Sequence, residues 1–219
     1  MSSKKIQIAP SILAGDFGHL ADEAKRIEDS GAEAIHFDVM DGNFVPNLTL
    51  GPRALAAINR ATEMFLDVHL MIYNPFDYIE RFVESGADRI TFHFEATEDV
   101  EDTIQFIKKC GIEAGLAFCP ETSETMVPKY LSLCDLVLLM TVHPGFGGQE
   151  FMTDVLEKIK FTRDYCDKQG FDVDIQVDGG INAETAKLCV DAGANVIVAG
   201  TYCFTYEKGI QAAVDTLRG

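Results

Sequence analysis

The chain has 219 residues, 47% hydrophobic and 24% charged, a balance that excludes a disordered or fibrous protein. A formal net charge of -17, with no Lys/Arg cluster longer than Lys4-Lys5 or Lys108-Lys109, opposes a phosphate backbone and excludes nucleic acid as an expected partner. No basic-then-apolar leader opens the sequence and no apolar run reaches the roughly 18 residues of a membrane span, so no membrane partner and a cytoplasmic location are expected.

Short apolar runs of strand length recur at 6–13, 34–40, 65–72, 89–96, 113–120, 136–142, 174–181 and 196–204. Between them lie stretches of helical period. Leu20, Ala24 and Ile27 follow the first run; Val155, Ile159 and Thr162 follow the sixth, with Lys158 and Lys160 read as lying outside. Glycines at 31, 86, 111 and 193 mark helix ends shortly before the next strand. Strict β-then-α alternation repeated eight times, with strands too apolar for a wet face, predicts a parallel sheet covered by helices, an α/β protein folded as one (β/α)₈ TIM barrel over 1–219. The competing open doubly wound sheet usually carries a G-x-G-x-x-G after its first strand, and none follows Leu13. The six cysteines are scattered without CxxC pairs and are expected mostly as buried thiols.

In such a barrel the site forms at the C-terminal strand ends, so polar residues there carry the information. The second strand puts His36, Asp38 and Met40 on one face, the third Asp67, His69 and Met71, and the seventh Gln176 and Asp178. A lone strand histidine is ordinarily a satisfied core or surface residue, but here His36, Asp38, His69 and Asp178 converge on one mouth. Two imidazoles and two carboxylates suit Zn²⁺, Fe²⁺, Mn²⁺ or Co²⁺ better than Ca²⁺. Glycines cluster after strand six (Gly145, Gly147, Gly148, around Phe146), after strand seven (Gly179, Gly180) and at Gly200-Thr201, read as lying on strand eight. One such pair is ordinary turn chemistry; three neighbouring loops predict backbone N–H groups approaching a phosphate. Met40, Met71 and Met140 lie at strand ends, either as core filling or as a soft, water-poor lining of the site.

These stretches resemble the ribulose-phosphate 3-epimerases. The resemblance is carried by Ala9-Pro10-Ser11-Ile12-Leu13, the run 36–47 (HFDVMDGNFVPN), Asp67-Val68-His69-Leu70-Met71, the run 140–149 and Val177-Asp178-Gly179-Gly180-Ile181, five motifs in order across nearly the whole chain. It implies a barrel that interconverts D-ribulose 5-phosphate and D-xylulose 5-phosphate. By the family pattern His36, Asp38, His69 and Asp178 hold one divalent metal ion per subunit, and Asp38 and Asp178 are also the acid and base on opposite faces of C3. Ser11 and His69 would touch the sugar, the phosphate would lie against 145–148, 179–180 and 200–201, and a homo-oligomer is expected. Inverting a carbon beside a ketone needs a base on one face and an acid on the other, with positive charge to stabilise the enediolate between the two steps; no organic cofactor is required.

The chain departs from the family pattern at Cys119 (usually Asn), Thr201 (usually Ser) and Tyr202-Cys203 (usually smaller). These positions near strand ends leave open a D-allulose 6-phosphate 3-epimerase, which would use the same aspartates in a longer pocket. A metal-free decarboxylase or isomerase barrel would need a lysine at a strand end, and there is none. A non-catalytic sugar-phosphate binder would not need the four ligands together.

Overall fold

Alternation along each strand sends one set of side chains toward the helices and the other into the barrel. The computed structural model, which describes residues 4–219, has strands β1 (Gln7–Pro10), β2 (Ala34–Met40), β3 (Phe65–Met71), β4 (Arg89–His93), β5 (Glu113–Phe118), β6 (Leu136–Met140), β7 (Asp174–Asp178) and β8 (Val196–Ala199). They pair in parallel in the order β1-β8-β7-β6-β5-β4-β3-β2. The two ends of this row meet through a parallel bridge between Ser11 and His36 and a bond from Glu33 N–H to the Ile8 carbonyl, which curls the sheet into a barrel. Ile8, Ile35, Phe37, Val39, Leu66, Val68, Leu70, Ile90 and Phe92 pack in one large cluster with helix residues such as Ala24, Ile27, Leu55, Ile58, Ile104 and Ile107. Their sequence alternates build two smaller clusters inside the barrel, one of Ala9, Ala34 and Val198, the other including Ala117, Leu136, Leu138, Met140 and Val196.

The helices are α1 (Leu20–Glu28), α2 (Pro52–Asn59), α3 (Ile79–Glu84), α4 (Val100–Lys109), α5 (Val155–Gln169), α6 (Ala183–Ala192), α7 (Thr201–Thr205) and α8 (Gly209–Arg218). Gly31, Gly86, Gly111 and Gly193 all adopt positive φ, as helix-ending glycines should. Among the described residues no helix is long and apolar enough to cross a membrane. Cys134, Cys166, Cys189 and Cys203 are buried thiols, while Cys110 and Cys119 are half-buried.

Four expectations from the sequence need correction. Every strand but β2 is shorter than its apolar run, and the cause is plainest at three of them: Ile12–Ala14 and Phe94–Ala96 are 3-10 turns, and β8 ends at Ala199. Ile12, Ala96 and Cys203 are buried from these turns, so apolarity there reports packing under a loop, not extension of the strand. Gly200-Thr201 therefore lies off strand eight, at the start of α7. The alternation is not strict either. The fifth connection is a 3-10 segment, Glu124–Lys129, where Pro128 lacks the N–H that a continuing α-helix needs, and two helices, α7 and α8, follow β8. Lastly, Lys158 is not outside. It shares the inward face of α5 with Val155, Ile159, Thr162 and Cys166, and its ammonium donates to the carbonyls of Cys119 and Pro120 at 3.0 and 2.9 Å. A long stem lets it bury while its charge satisfies carbonyls just beyond β5.

Candidate active site

Register brings the polar faces of β2 and β3 together: His36 pairs with Asp67, Asp38 with His69 and Met40 with Met71. Asp178 arrives from β7, across the barrel. One ligand atom from each of His36, Asp38, His69 and Asp178 lies within 4.8 Å of the others. His36 is wholly buried; its Nδ1 meets Asp67 Oδ2 at 2.8 Å, and its Nε2, 3.3 Å from Asp38 Oδ1, has no hydrogen-bond partner among the described residues. An orphaned imidazole nitrogen is costly to bury. Held by Asp67 with its proton on Nδ1, His36 offers an Nε2 lone pair toward the cluster, and this donor set fits a divalent ion. His69 Nδ1 sits 3.0 Å from Asp38 Oδ1 and 3.9 Å from Asp178 Oδ2. Ser11 donates its hydroxyl to the other oxygen of Asp38, Oδ2, at 2.5 Å.

The two aspartates are driven in opposite directions. While no ion is bound, burial would raise the Asp38 carboxyl, but the positive charge of a protonated His36 ring 3.3 Å away and the hydrogen bond with His69 outweigh it and hold Asp38 far below the usual carboxylate range. Among the described residues Asp178 has no such hydrogen-bond partner. Removal from bulk water, then the negative charge of Asp38, push it up to about 7. Burial lowers His69, and it lowers His93 to about 4.

Above the cluster lies a pocket of about 330 Å³. Its lining includes Ser11, Asp38, Asp178, Met40, Met71 and Met140, and all three glycine loops, 145–148 with Phe146, 179–180 and 200–201. His36 and His69 do not line it; they lie fully buried. The glycines of the seventh loop are forced. Gly179 and Gly180 have φ of 119° and 65°, and a Cβ there would stand 2.3 Å from Val142 Cγ2 and 2.6 Å from the Phe151 nitrogen. Backbone bends here as only glycine allows cheaply, and it brings main chain rather than side chain to the pocket. The Thr141 hydroxyl donates to the Gly179 carbonyl at 2.6 Å, and Asn47 Nδ2 to the Gly145 carbonyl at 2.9 Å, tying these loops to the barrel.

Three residues without an expected role prove central. Asp67 accepts from His36, from Gln176 Nε2 at 2.6 Å and from Arg89 Nε at 2.9 Å, all buried. His93 Nε2 lies 2.9 Å from His69 Nε2, and His93 Nδ1 lies 3.3 Å from Glu95 Oε2. The signal for His93 was available in Arg89-Ile90-Thr91-Phe92-His93, which alternates polar and apolar as β3 does. Of the departures from the family pattern, Thr201 and Tyr202 line the pocket, whereas Cys119 faces His93 and Cys203 is buried elsewhere. Only the first two are placed to alter substrate contacts.

Residues 7–204 match the model of the ribulose-phosphate 3 epimerase family. The chain is 52% identical over 219 residues to a ribulose-phosphate 3-epimerase of Chlamydia pneumoniae, covering 99% of this chain and 96% of that one. To the ribulose-phosphate 3-epimerase of Bacillus subtilis (strain 168) it is 46% identical over 215 residues, 98% of this chain and 99% of that one. Among solved structures, the tryptophan synthase α-subunit of Pyrococcus furiosus superposes with a TM-score of 0.72 at 15% identity over 99% of both chains, a likeness of fold alone. Near-full-length identity of this order, together with the family model, means that the chain belongs to the ribulose-phosphate 3-epimerase family.

Proposed function

We propose that the protein is an isomerase that inverts C3 of D-ribulose 5-phosphate to give D-xylulose 5-phosphate, and the reverse, by proton transfer between two aspartates. The observation that carries this reading is the pair Asp38 and Asp178, reaching one pocket from β2 and β7 with their protonation pushed apart. Asp38, held as the carboxylate, takes the C3 proton from one face. Asp178, its carboxyl raised by burial and by the negative charge of Asp38, gives its proton to the other face. One turnover therefore leaves the two carboxyls with exchanged protonation, and the starting state returns by the reverse reaction or by exchange with solvent.

His36 and His69, with the two aspartates, would hold the divalent ion; when bound, it supplies the positive charge that stabilises negative charge developing on the substrate oxygens. Ser11 keeps the Asp38 carboxyl oriented and borders the sugar. Met40, Met71 and Met140 exclude water around C3. The main chain of 145–148, 179–180 and 200–201 receives the phosphate.

The test is a side-by-side rate measurement on ribulose 5-phosphate, free ribulose and allulose 6-phosphate, before and after chelation. Turnover of the pentose phosphate that far exceeds both others, is lost with chelator and returns with a divalent ion supports the reading. Equal turnover of free ribulose removes the phosphate assignment, and full activity in a verified metal-free sample removes the metal.

A further inference from the structure

The reading above needs His69 to face the ion with a lone pair on Nδ1, and the residues behind His69 bear on whether it does. His69 Nε2 and His93 Nε2 are 2.9 Å apart, both rings fully buried. A contact of this length between two ring nitrogens holds one proton, so one ring donates and the other accepts. Glu95 decides which. Its Oε1 accepts the Cys119 N–H at 2.9 Å and the Thr122 hydroxyl, and its Oε2 faces His93 Nδ1 at 3.3 Å. A carboxylate only accepts, so His93 Nδ1 must carry a proton. In the metal-free protein His69 Nδ1 donates to Asp38 Oδ1 at 3.0 Å; an ion displaces that proton, and the His93 Nε2 lone pair, set by Glu95, accepts from His69 Nε2–H, which leaves His69 Nδ1 bare toward the ion. We propose that His93 and Glu95 are positioning residues that fix the His69 tautomer for metal binding, a two-step counterpart of the single contact by which Asp67 fixes His36.

The same three-residue cluster offers another use, which the proton count excludes. His93, Glu95 and Cys119 could together ligate an ion. An ion there would take the His93 Nδ1 lone pair, move the His93 proton to Nε2, and so drive the His69 proton onto Nδ1, into the first site. One proton between two histidines makes the two sites mutually exclusive, and the chain binds one ion.

The inference rests on the metal reading, and a cobalt titration followed by absorbance, with thermal unfolding of each metal-free variant, separates the two. Glu95→Gln keeps the shape but not the polarity. Its amide oxygen must face the Cys119 N–H, so its NH₂ faces His93 Nδ1 and the chain of donors inverts. The parent should take one equivalent of Co²⁺. Glu95→Gln and His93→Leu should each bind it roughly 10- to 100-fold more weakly, the usual cost of losing an outer hydrogen bond to a ligand. His93→Gln, whose amide oxygen can stand where Nε2 stood, should recover most of the affinity. If His93→Leu does not fold, the isosteric Glu95→Gln carries the comparison. Parent-like affinity in Glu95→Gln, or two equivalents bound by the parent, would overturn the proposal alone; a parent that binds no cobalt would overturn the metal reading with it.

Discussion

The β2–β4 side of the barrel mouth works with side chains, and the β6–β8 side works largely with main chain. On the first side every group is held by another: His36 by Asp67, Asp67 by Arg89 and Gln176, His69 by His93, His93 by Glu95. On the second, Asp178 has no comparable partner among the described residues and stands among loops whose glycines leave backbone exposed to the pocket. The difference matches the two tasks proposed above. Holding an ion and a base needs fixed lone pairs, whereas a phosphate and a titrating acid need open N–H groups and a carboxyl that is not pinned in one charge state.

The largest expected effect crosses both sides. Asp38→Asn and Asp178→Asn should each lower kcat/KM by roughly 10²- to 10⁴-fold, the range for general acid–base catalysis. Their combination should fall well short of the product of the two, since they act as a unit. Metal content must be measured for each variant before the rates are compared. A variant that keeps its ion and epimerises near the parent rate would break the assignment.

On the main-chain side, Gly180→Ala forces a side chain into φ 65° and against the Phe151 nitrogen. Strain of this kind costs about 1–3 kcal/mol. It should raise KM for the phosphorylated sugar more than it lowers kcat; an unchanged KM would detach this loop from phosphate binding.

A smaller effect tests the freedom of Asp178. Its pKa is about 7 in the folded metal-free protein against a reference of 3.8, so the unfolded chain loses this proton first as pH rises. The contribution of Asp178 to stability is complete below about 4 and is lost as pH climbs toward 7. Urea unfolding of metal-free protein at several pH values should show that slope, and Asp178→Asn should flatten it. An identical slope in the variant would mean that Asp178 is not the group responsible.

The smallest effect is expected at the methionines. Replacing Met140 by Leu conserves volume and should cost less than about 1.5 kcal/mol of stability. If its sulfur borders the reacting carbon, kcat should still fall measurably; unchanged kinetics for all three methionines would return them to core filling.

The two sides also differ in how far the sequence reveals them. His36, Asp38, His69 and Asp178 are legible because strand alternation puts each on a known face. The supporting residues are not, because Asp67 meets His36 through strand register and His93 meets His69 through the neighbouring strand. Register is a property of the assembled sheet. The glycine loops were legible as a cluster, but the placement of Gly200-Thr201 on a strand failed because Thr201 to Phe204 are residues at home in strands that here form a short helix, burying Cys203. Lys158 misled for a related reason: charge predicts exposure unless unpaired carbonyls wait inside.

The central claim is that C3 loses its proton to one aspartate and receives another from the second. Reaction of ribulose 5-phosphate in D₂O, stopped after a single turnover of enzyme equilibrated in that solvent, measures this by NMR of the product. Two-base transfer predicts deuterium at C3 of xylulose 5-phosphate, since the donated proton comes from a carboxyl that exchanged with solvent. Product that retains the substrate's own C3 hydrogen would contradict it.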